Sequence, residues 1–151
     1  MNVKPSLFVD FDLPENCINK AMLIRNHSEL ASVVFGEADF DRASESPDIE
    51  TPHYILKSMD LTDLSSLQAY LKSSPISLSI PTLFLSECVL IYINPDLVNP
   101  TLQYLQQSFP NSLMVVYEQI RPSDPFGAMM IHNLHVWMIS LLVTRNVDVT
   151  C

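Results

Sequence analysis

Short apolar runs alternate with longer amphipathic segments along the chain, and turn residues separate them. Apolar runs bounded by turns are typical of buried strands, whereas apolar positions three and four residues apart are typical of helices. The apolar runs predict four strands, over residues 6–12, 53–57, 81–88 and 112–117. The amphipathic segments predict four helices, over about 15–28, 63–71, 95–108 and 125–143. This order of strand and helix is the pattern of an α/β domain with a mainly parallel sheet.

Helix-start residues support three of these boundaries. Pro14 and Pro95 each stand where a helix is expected to begin, a position that tolerates a residue without an N–H group. Thr62 is the expected N-cap of the second predicted helix, with Asp63 in its first turn.

One segment, residues 36–53, carries six acids and two prolines but no hydrophobic period. Such a segment predicts a long, solvated acidic loop rather than a strand or helix. It lacks the spaced ligands and the central glycine of an EF-hand, so we predict no calcium site there.

Composition narrows the class of protein. The chain has 151 residues, with 8 Lys+Arg against 17 Asp+Glu and a net charge of −9. This length suits a single domain, over residues 1–151. The excess of negative charge argues against a nucleic-acid partner, because phosphate binding needs a basic surface.

The longest apolar stretch, residues 128–143, is interrupted by His132, Asn133 and His135, and it is shorter than the roughly 20 residues of a membrane span. We therefore expect no membrane-spanning helix. Three widely spaced cysteines fit neither a zinc ribbon nor a disulfide framework, and they indicate a reducing compartment. With no visible targeting signal in residues 1–20, we expect a cytoplasmic protein that acts as a monomer.

The chain contains only two glycines, Gly36 and Gly127. Loops that cradle phosphates or dinucleotides need several closely spaced glycines, because the backbone must approach the ligand. Loops of the GxGxxG and GxxxxGK kinds are therefore excluded within these 151 residues.

Acidic residues follow successive predicted strands. Asp10 and Asp12 end the first strand, Asp60 follows the second, and Glu87 lies at the end of the third. Ligands of open α/β sheets bind at the carboxyl ends of the strands. Carboxylates at that edge suit a ligand with ribose hydroxyls, because an ionised carboxylate accepts O–H donors.

Four stretches resemble motifs of the leucine carboxyl methyltransferases. Leu85–Tyr92 (LSECVLIY) is similar to their ECVLVY strand, and Tyr117–Met130 (YEQIRPSDPFGAMM) is similar to their YEQ…D.FG..M segment. Phe11–Pro14 (FDLP) resembles their VDFP turn, and Asp60–Leu64 (DLTDL) resembles their ADLRDL segment. The four agree in order and approximate spacing, so the resemblance covers roughly residues 7–135.

The resemblance implies a Rossmann-like α/β fold and transfer of a methyl group from S-adenosylmethionine. The acceptor that it implies is the C-terminal leucine carboxylate of the type 2A protein phosphatase catalytic subunit, whose C-terminal tail would be the partner. Carried over position by position, Asp12 matches the acid that binds the cofactor ribose, and Asp60 and Leu61 match the pair beside the adenine. Glu87 matches the acid facing the methionine part, and Tyr92 is placed near the substrate.

This chemistry needs no catalytic side chain. A terminal carboxyl group has a pKa of about 3.3–3.7, so at neutral pH the nucleophile is already ionised. The protein has mainly to hold the carboxylate oxygen, the methyl carbon and the sulfur in line and to exclude water. We accordingly predict no catalytic residue, and no metal site.

Compared with the family pattern, the chain starts at the second strand. The first strand with its glycine-rich loop would precede Met1, and the closing strands would follow Cys151. In the doubly wound order the first strand lies centrally, between the strands predicted at 6–12 and 81–88. We therefore expect a single, incomplete methyltransferase domain. In it, the apolar residues 136–143 would form either a repacked helix or a surface for a partner or for aggregation.

Two other interpretations stay open. A strand that ends in Asp10-Phe11-Asp12 is also how haloacid-dehalogenase-like phosphatases present a nucleophilic and an acid/base aspartate, although Pro14 stands where they carry Thr or Val. The chain could also be a non-catalytic pseudoenzyme or phosphatase-interaction module, which the absence of a glycine loop favours.

Overall fold

The computed structural model describes residues 4–36, 46–119, 121 and 123–136 of the chain. Five strands, five α-helices and one 3₁₀ turn are found within them. The strands are β1 (Phe8–Asp12), β2 (Ile49–Glu50), β3 (Tyr54–Ser58), β4 (Thr82–Glu87) and β5 (Ser112–Tyr117). The helices are α1 (Pro14–Asn26), α2 (Ser28–Phe35), α3 (Leu64–Ser73), α4 (Pro95–Ser108) and α5 (Pro125–Val136), with the 3₁₀ turn at Leu90–Tyr92. The predicted mixture of strands and helices is confirmed.

Contacts divide the chain into two compact units, Met1–Leu67 and Gln68–Cys151, with the division inside α3. In the first unit, β1 and β3 are parallel, with Phe8 beside Tyr54 and Asp12 beside Ser58. The short β2 adds to β3 in the antiparallel direction, so the strand order is β1-β3-β2. β1 is thus an edge strand of the sheet that the described residues form.

α1 begins at Pro14, as predicted, and its acidic Glu15 and basic Arg25 lie at the ends where the helix dipole favours each charge. The helix ends at Asn26, because His27 leaves the helical region (φ −106°, ψ 111°). α2 starts at the next residue, without a side-chain cap at its N-terminus.

The core of the first unit forms between one face of α1 and the sheet. Cys17, Ala21 and Ile24 are spaced as neighbours on a helix face, and they pack with Ile49 and Leu56 of the strands. Burial raises the pKa of the Cys17 thiol, although a hydrogen bond from Ser58 acts in the opposite direction. Cys17 therefore behaves as a small core residue.

β2 lies within the segment that the sequence predicts as a single acidic loop, of which residues 37–45 fall outside the described part. Ile49 is buried because it pairs with Leu56 and joins the core. Asp48, beside it, accepts hydrogen bonds from the Lys57 ammonium and the Ser58 N–H group.

In the second unit, β4 and β5 are parallel, from Thr82 beside Ser112 to Glu87 beside Tyr117. β4 is bordered only by β5 among the described strands. The connecting helix α4 begins after Asn94, whose side chain accepts the Asp96 N–H group.

The N-cap of α3 is Asp63 rather than the expected Thr62. The N–H and hydroxyl groups of Thr62 both donate to Asp60 Oδ1 at 2.8 Å, which holds Thr62 in the preceding turn. Asp63 Oδ1 accepts the Ser66 N–H group, three residues into the helix, and this is the N-cap geometry. The buried face of the helix carries Leu67 and Leu71.

α5 confirms the start of the last predicted helix at Pro125, and residues 137–143 of that prediction lie outside the described part. Within the described residues, no helix combines the length and the hydropathy that crossing a membrane would require.

Candidate functional site

Asp12, the last residue of β1, is held by the first turn of α1. Its Oδ1 atom accepts the Leu13 N–H group and the Asn16 side-chain amide, both at 2.8 Å. Its Oδ2 atom lies 3.7 Å from Lys20 Nζ, and the side chain is 32% exposed. The carboxylate is therefore oriented by its own helix while part of it still faces solvent.

Asp10 belongs to a network on the same sheet. Its Oδ2 atom accepts Lys20 Nζ at 2.8 Å and the Tyr54 hydroxyl at 3.3 Å. Burial and then the Asp10 charge raise the pKa of Tyr54, which therefore stays protonated. Burial disfavours the charged form of Lys20, but the hydrogen bond to Asp10 and the charges of Asp10 and Asp12 together outweigh this effect and raise the Lys20 pKa. Asp10 thus joins α1 to β3.

Asp60 and Leu61 follow β3 at the same edge. Met59 N–H donates to the Asp12 carbonyl oxygen at 2.8 Å, which continues the β1–β3 pairing to the residue before Asp60. Asp60 is exposed, and its Oδ1 atom accepts two hydrogen bonds from Thr62. The structure therefore brings Asp12 and Asp60 to one carboxyl edge of the first sheet, as predicted from the strand ends, and Leu61, which the resemblance added, follows Asp60 there.

In the second unit, Glu87 ends β4 and is exposed. Cys88 follows it with φ +50°, in the left-handed region that non-glycine residues rarely adopt, and its N–H group donates to the Tyr117 carbonyl at 2.8 Å. The chain then enters the 3₁₀ turn that ends at Tyr92, whose side chain is also exposed. Glu87 and Tyr92 thus flank one turn at the carboxyl end of β4.

Glu118, which sequence reasoning did not select, supports that turn. Its Oε1 atom accepts the N–H groups of Val89 at 3.1 Å and Leu90 at 3.0 Å. Glu118 lies one residue past β5, so the strand-end rule that selected Asp12 and Glu87 could have found it.

The five predicted residues fall into two sets. Asp12, Asp60 and Leu61 belong to the first unit, and Glu87 and Tyr92 belong to the second. That both sets bind one cofactor stays a prediction. Across the described residues, no three His, Cys, Asp or Glu side chains are grouped as a metal site would require.

Comparison with known families decides the class of protein. The sequence profile named leucine carboxyl methyltransferase matches residues 3–106. The chain belongs to the leucine carboxyl methyltransferase family. The match includes Asp12, Asp60 and Leu61 of the first unit and Glu87 and Tyr92 of the second, so all five predicted site residues lie inside it.

Two individual relatives carry the same family name as the profile. The chain is similar to leucine carboxyl methyltransferase 1 homolog of Arabidopsis thaliana, with 34% identity over 130 residues, covering 86% of this chain and 39% of the relative. For leucine carboxyl methyltransferase 1 of Rattus norvegicus the identity is 30% over 131 residues, covering 86% of this chain and 40% of the relative.

A relative with another name shares the same region. The tRNA wybutosine-synthesizing protein 4 of Homo sapiens is 32% identical over 126 residues, covering 82% of this chain and 18% of that protein. The chain therefore spans about two fifths of the first two relatives and less than a fifth of the third.

Proposed function

We propose that this chain contributes to a Rossmann-like methyltransferase that transfers a methyl group from S-adenosylmethionine to a C-terminal leucine carboxylate. The proposed acceptor is the tail of the type 2A protein phosphatase catalytic subunit, and the proposed location is the cytoplasm. The observation that carries the proposal is the family match over residues 3–106, which contains the acids at the strand ends.

The residues present fit the cofactor by the chemistry of their donor and acceptor atoms. Asp12 is partly exposed and Asp60 is exposed, at the carboxyl edge of parallel strands. Such carboxylates can accept hydrogen bonds from ribose hydroxyls. Leu61, half-buried beside Asp60, offers an apolar contact for the adenine ring. Asp12 would thus hold the ribose, with Asp60 and Leu61 beside the base.

S-adenosylmethionine supplies an electrophilic methyl group on a sulfonium leaving group. The chain's own residues then have to bind and orient the reactants and keep water away. Glu87 and Tyr92, on one turn, are the proposed positioning groups for the methionine part and the substrate. No proton has to be removed, because a leucine carboxylate is already ionised at neutral pH.

The relative named tRNA wybutosine-synthesizing protein 4 favours a second candidate, methyl transfer to a tRNA. The net charge of −9 favours the phosphatase tail, because binding an RNA backbone depends on Lys and Arg.

A titration with S-adenosylhomocysteine, followed by amide NMR on the 151-residue chain, tests the cofactor part of the proposal. We expect the amide signals of Asp12, Asp60 and Glu87 to shift. Asp60→Asn should weaken binding about tenfold or more, because hydrogen bonds to charged groups contribute about 1.5–3 kcal/mol. The matched control, Glu50→Gln, changes an exposed acid on β2 and should leave binding unchanged. Absence of any shift would contradict the cofactor assignment.

Methyl transfer from labelled S-adenosylmethionine then separates the acceptors. Methylation of a peptide that ends in leucine supports the phosphatase tail, and methylation of tRNA supports the second candidate. Transfer to neither, with phosphatase binding retained, would support the non-catalytic interaction module instead.

A further inference from the structure

The turn after β4 has an unusual backbone and an unusual support. Cys88 has φ +50°, directly after Glu87. The next two backbone N–H groups, of Val89 and Leu90, start a 3₁₀ turn of only three residues. The leading N–H groups of a helical turn have no acceptor within the turn, so they need a partner outside it.

That partner is Glu118, 28 residues further along the chain than Leu90. A single oxygen, Oε1, accepts both N–H groups, at 3.1 and 3.0 Å. The Cys88 N–H group also bonds to the Tyr117 carbonyl, which fixes the first residue of the turn to the end of β5. Three consecutive N–H groups are therefore held by two consecutive residues.

Among the described residues, the other oxygen of the Glu118 carboxylate shows no second partner that would account for its position. Glu118 Oε2 is buried and has no hydrogen-bond partner within the described part of the chain. The hydrogen bonds of this carboxylate in that part of the chain therefore go to the turn, and the ion pairs among the described residues involve Asp10, Asp12 and Asp48 instead. Charged acceptors make stronger hydrogen bonds to backbone N–H groups than neutral ones do.

We infer that Glu118 is a positioning residue for the methyl-transfer site. Its carboxylate fixes the turn between Glu87 and Tyr92, so that these two side chains are presented together to cofactor and substrate. The inference rests on the proposed function for the roles of Glu87 and Tyr92. The anchoring of the turn by Glu118 does not depend on that function.

Three substitutions at Glu118 show whether the turn depends on the reach of its side-chain oxygen or on its negative charge. Glu118→Gln keeps a side-chain oxygen at the same reach, Glu118→Asp keeps the charge but withdraws the oxygen by one methylene, and Glu118→Ala removes the acceptor. The matched control is Asp124→Ala, which removes a carboxylate that accepts the Gly127 N–H group at the start of α5 in the same unit. Circular dichroism tests whether each variant is folded.

The first readout is amide hydrogen exchange at Val89 and Leu90. Glu118→Ala and Glu118→Asp should speed exchange there by about tenfold or more, because the N–H groups lose their acceptor. Glu118→Gln should keep most of the wild-type protection of both amides, because its side-chain oxygen reaches the same N–H groups. Asp124→Ala should leave both amides unchanged. If Glu118→Ala does not fold, comparing Glu118→Asp with Glu118→Gln still tests whether Glu118 protects these two amides.

The second readout is the dissociation constant for S-adenosylhomocysteine from NMR titration. We expect Glu118→Asp to weaken ligand binding at least about fivefold, and Glu118→Gln to bind with the wild-type affinity. In Glu118→Asp, the ligand should shift the amide signal of Glu87 less than that of Asp60. Unchanged exchange, or Glu118→Asp binding as tightly as the wild type, would overturn the inference. A wild-type chain that gives no ligand shifts but loses protection in Glu118→Asp would overturn the proposed function while keeping the anchoring role.

Discussion

The N–H group of Met59 donates to the carbonyl oxygen of Asp12 at 2.8 Å. This bond lies one residue beyond the last aligned pair of β1 and β3, Asp12 beside Ser58. It ties the chain after β3 to the end of β1, directly before Asp60. Two acids 48 positions apart in the sequence therefore share one sheet edge because of backbone pairing, without any contact between their side chains being needed.

Asp12 is expected to affect stability as well as binding. Asp12→Ala removes the acceptor of the Leu13 N–H group and of the Asn16 amide, so the free energy of unfolding should fall by about 1–2 kcal/mol. Urea denaturation measures this loss. Asp12→Asn keeps one oxygen and should lose less. A stability loss below about 0.3 kcal/mol for Asp12→Ala would show that these two hydrogen bonds do not hold the helix start.

The stability of the chain should depend on Asp63 in acid. Hydrogen bonds from Ser65 and Ser66 lower the pKa of Asp63 to about 2, whereas an aspartate of an unfolded chain titrates near 3.9. A lowered folded pKa means that the charged cap stabilises the fold fully above the unfolded value and loses this effect as the pH falls through the folded one. Denaturant midpoints should therefore decline between pH about 4 and 2.

Asp63→Asn tests the origin of that decline. The variant keeps an oxygen for the Ser66 N–H group but cannot titrate, so its midpoint should vary less over the same pH range. Carboxylate NMR signals give the Asp63 pKa directly. A value near 3.9 would contradict the cap geometry.

The elements that the sequence predicts well are those with local signals. β1, β4 and β5 lie in short, largely apolar runs bounded by turn residues, and α1 and α4 begin at Pro14 and Pro95. α2 has no capping side chain at its start, so no cap residue marks in the sequence where α1 ends and α2 begins. β2 has two residues and exists through its pairing with β3, so its cause lies outside its own sequence.

The candidate site also contains residues that local sequence signals predict and one residue whose role depends on distant contacts. Asp12, Asp60 and Glu87 are recognisable because each follows an apolar run, and the family motifs add Leu61 and Tyr92. The role of Glu118 depends on two hydrogen bonds to residues 28 and 29 positions away. Such a contact becomes visible only when the pairing of β4 with β5 has placed their ends side by side.

Asp48 is expected to stabilise the short β2. Burial opposes its charged form, but hydrogen bonds from Lys57 and Ser58 outweigh this effect and lower its pKa. Asp48→Ala should reduce the free energy of unfolding by about 1–3 kcal/mol, because it leaves the Ser58 N–H group without this acceptor. Asp48→Asn keeps an oxygen for Ser58 and should cost less. Equal losses in the two variants would assign the whole effect to the Lys57 ion pair.

Leu56 is expected to be a major core position of the first unit. It is 0% exposed, and it lies on β3, between Asp10 of β1 and Ile49 of β2. Leu56→Ala should lower the free energy of unfolding by about 2–5 kcal/mol, because the lost transfer energy adds to the cost of a cavity. Val33→Ala is the matched control, since Val33 is 83% exposed and its loss should change stability by less than about 0.5 kcal/mol. Equal effects of the two substitutions would show that Leu56 does not pack against α1 as described.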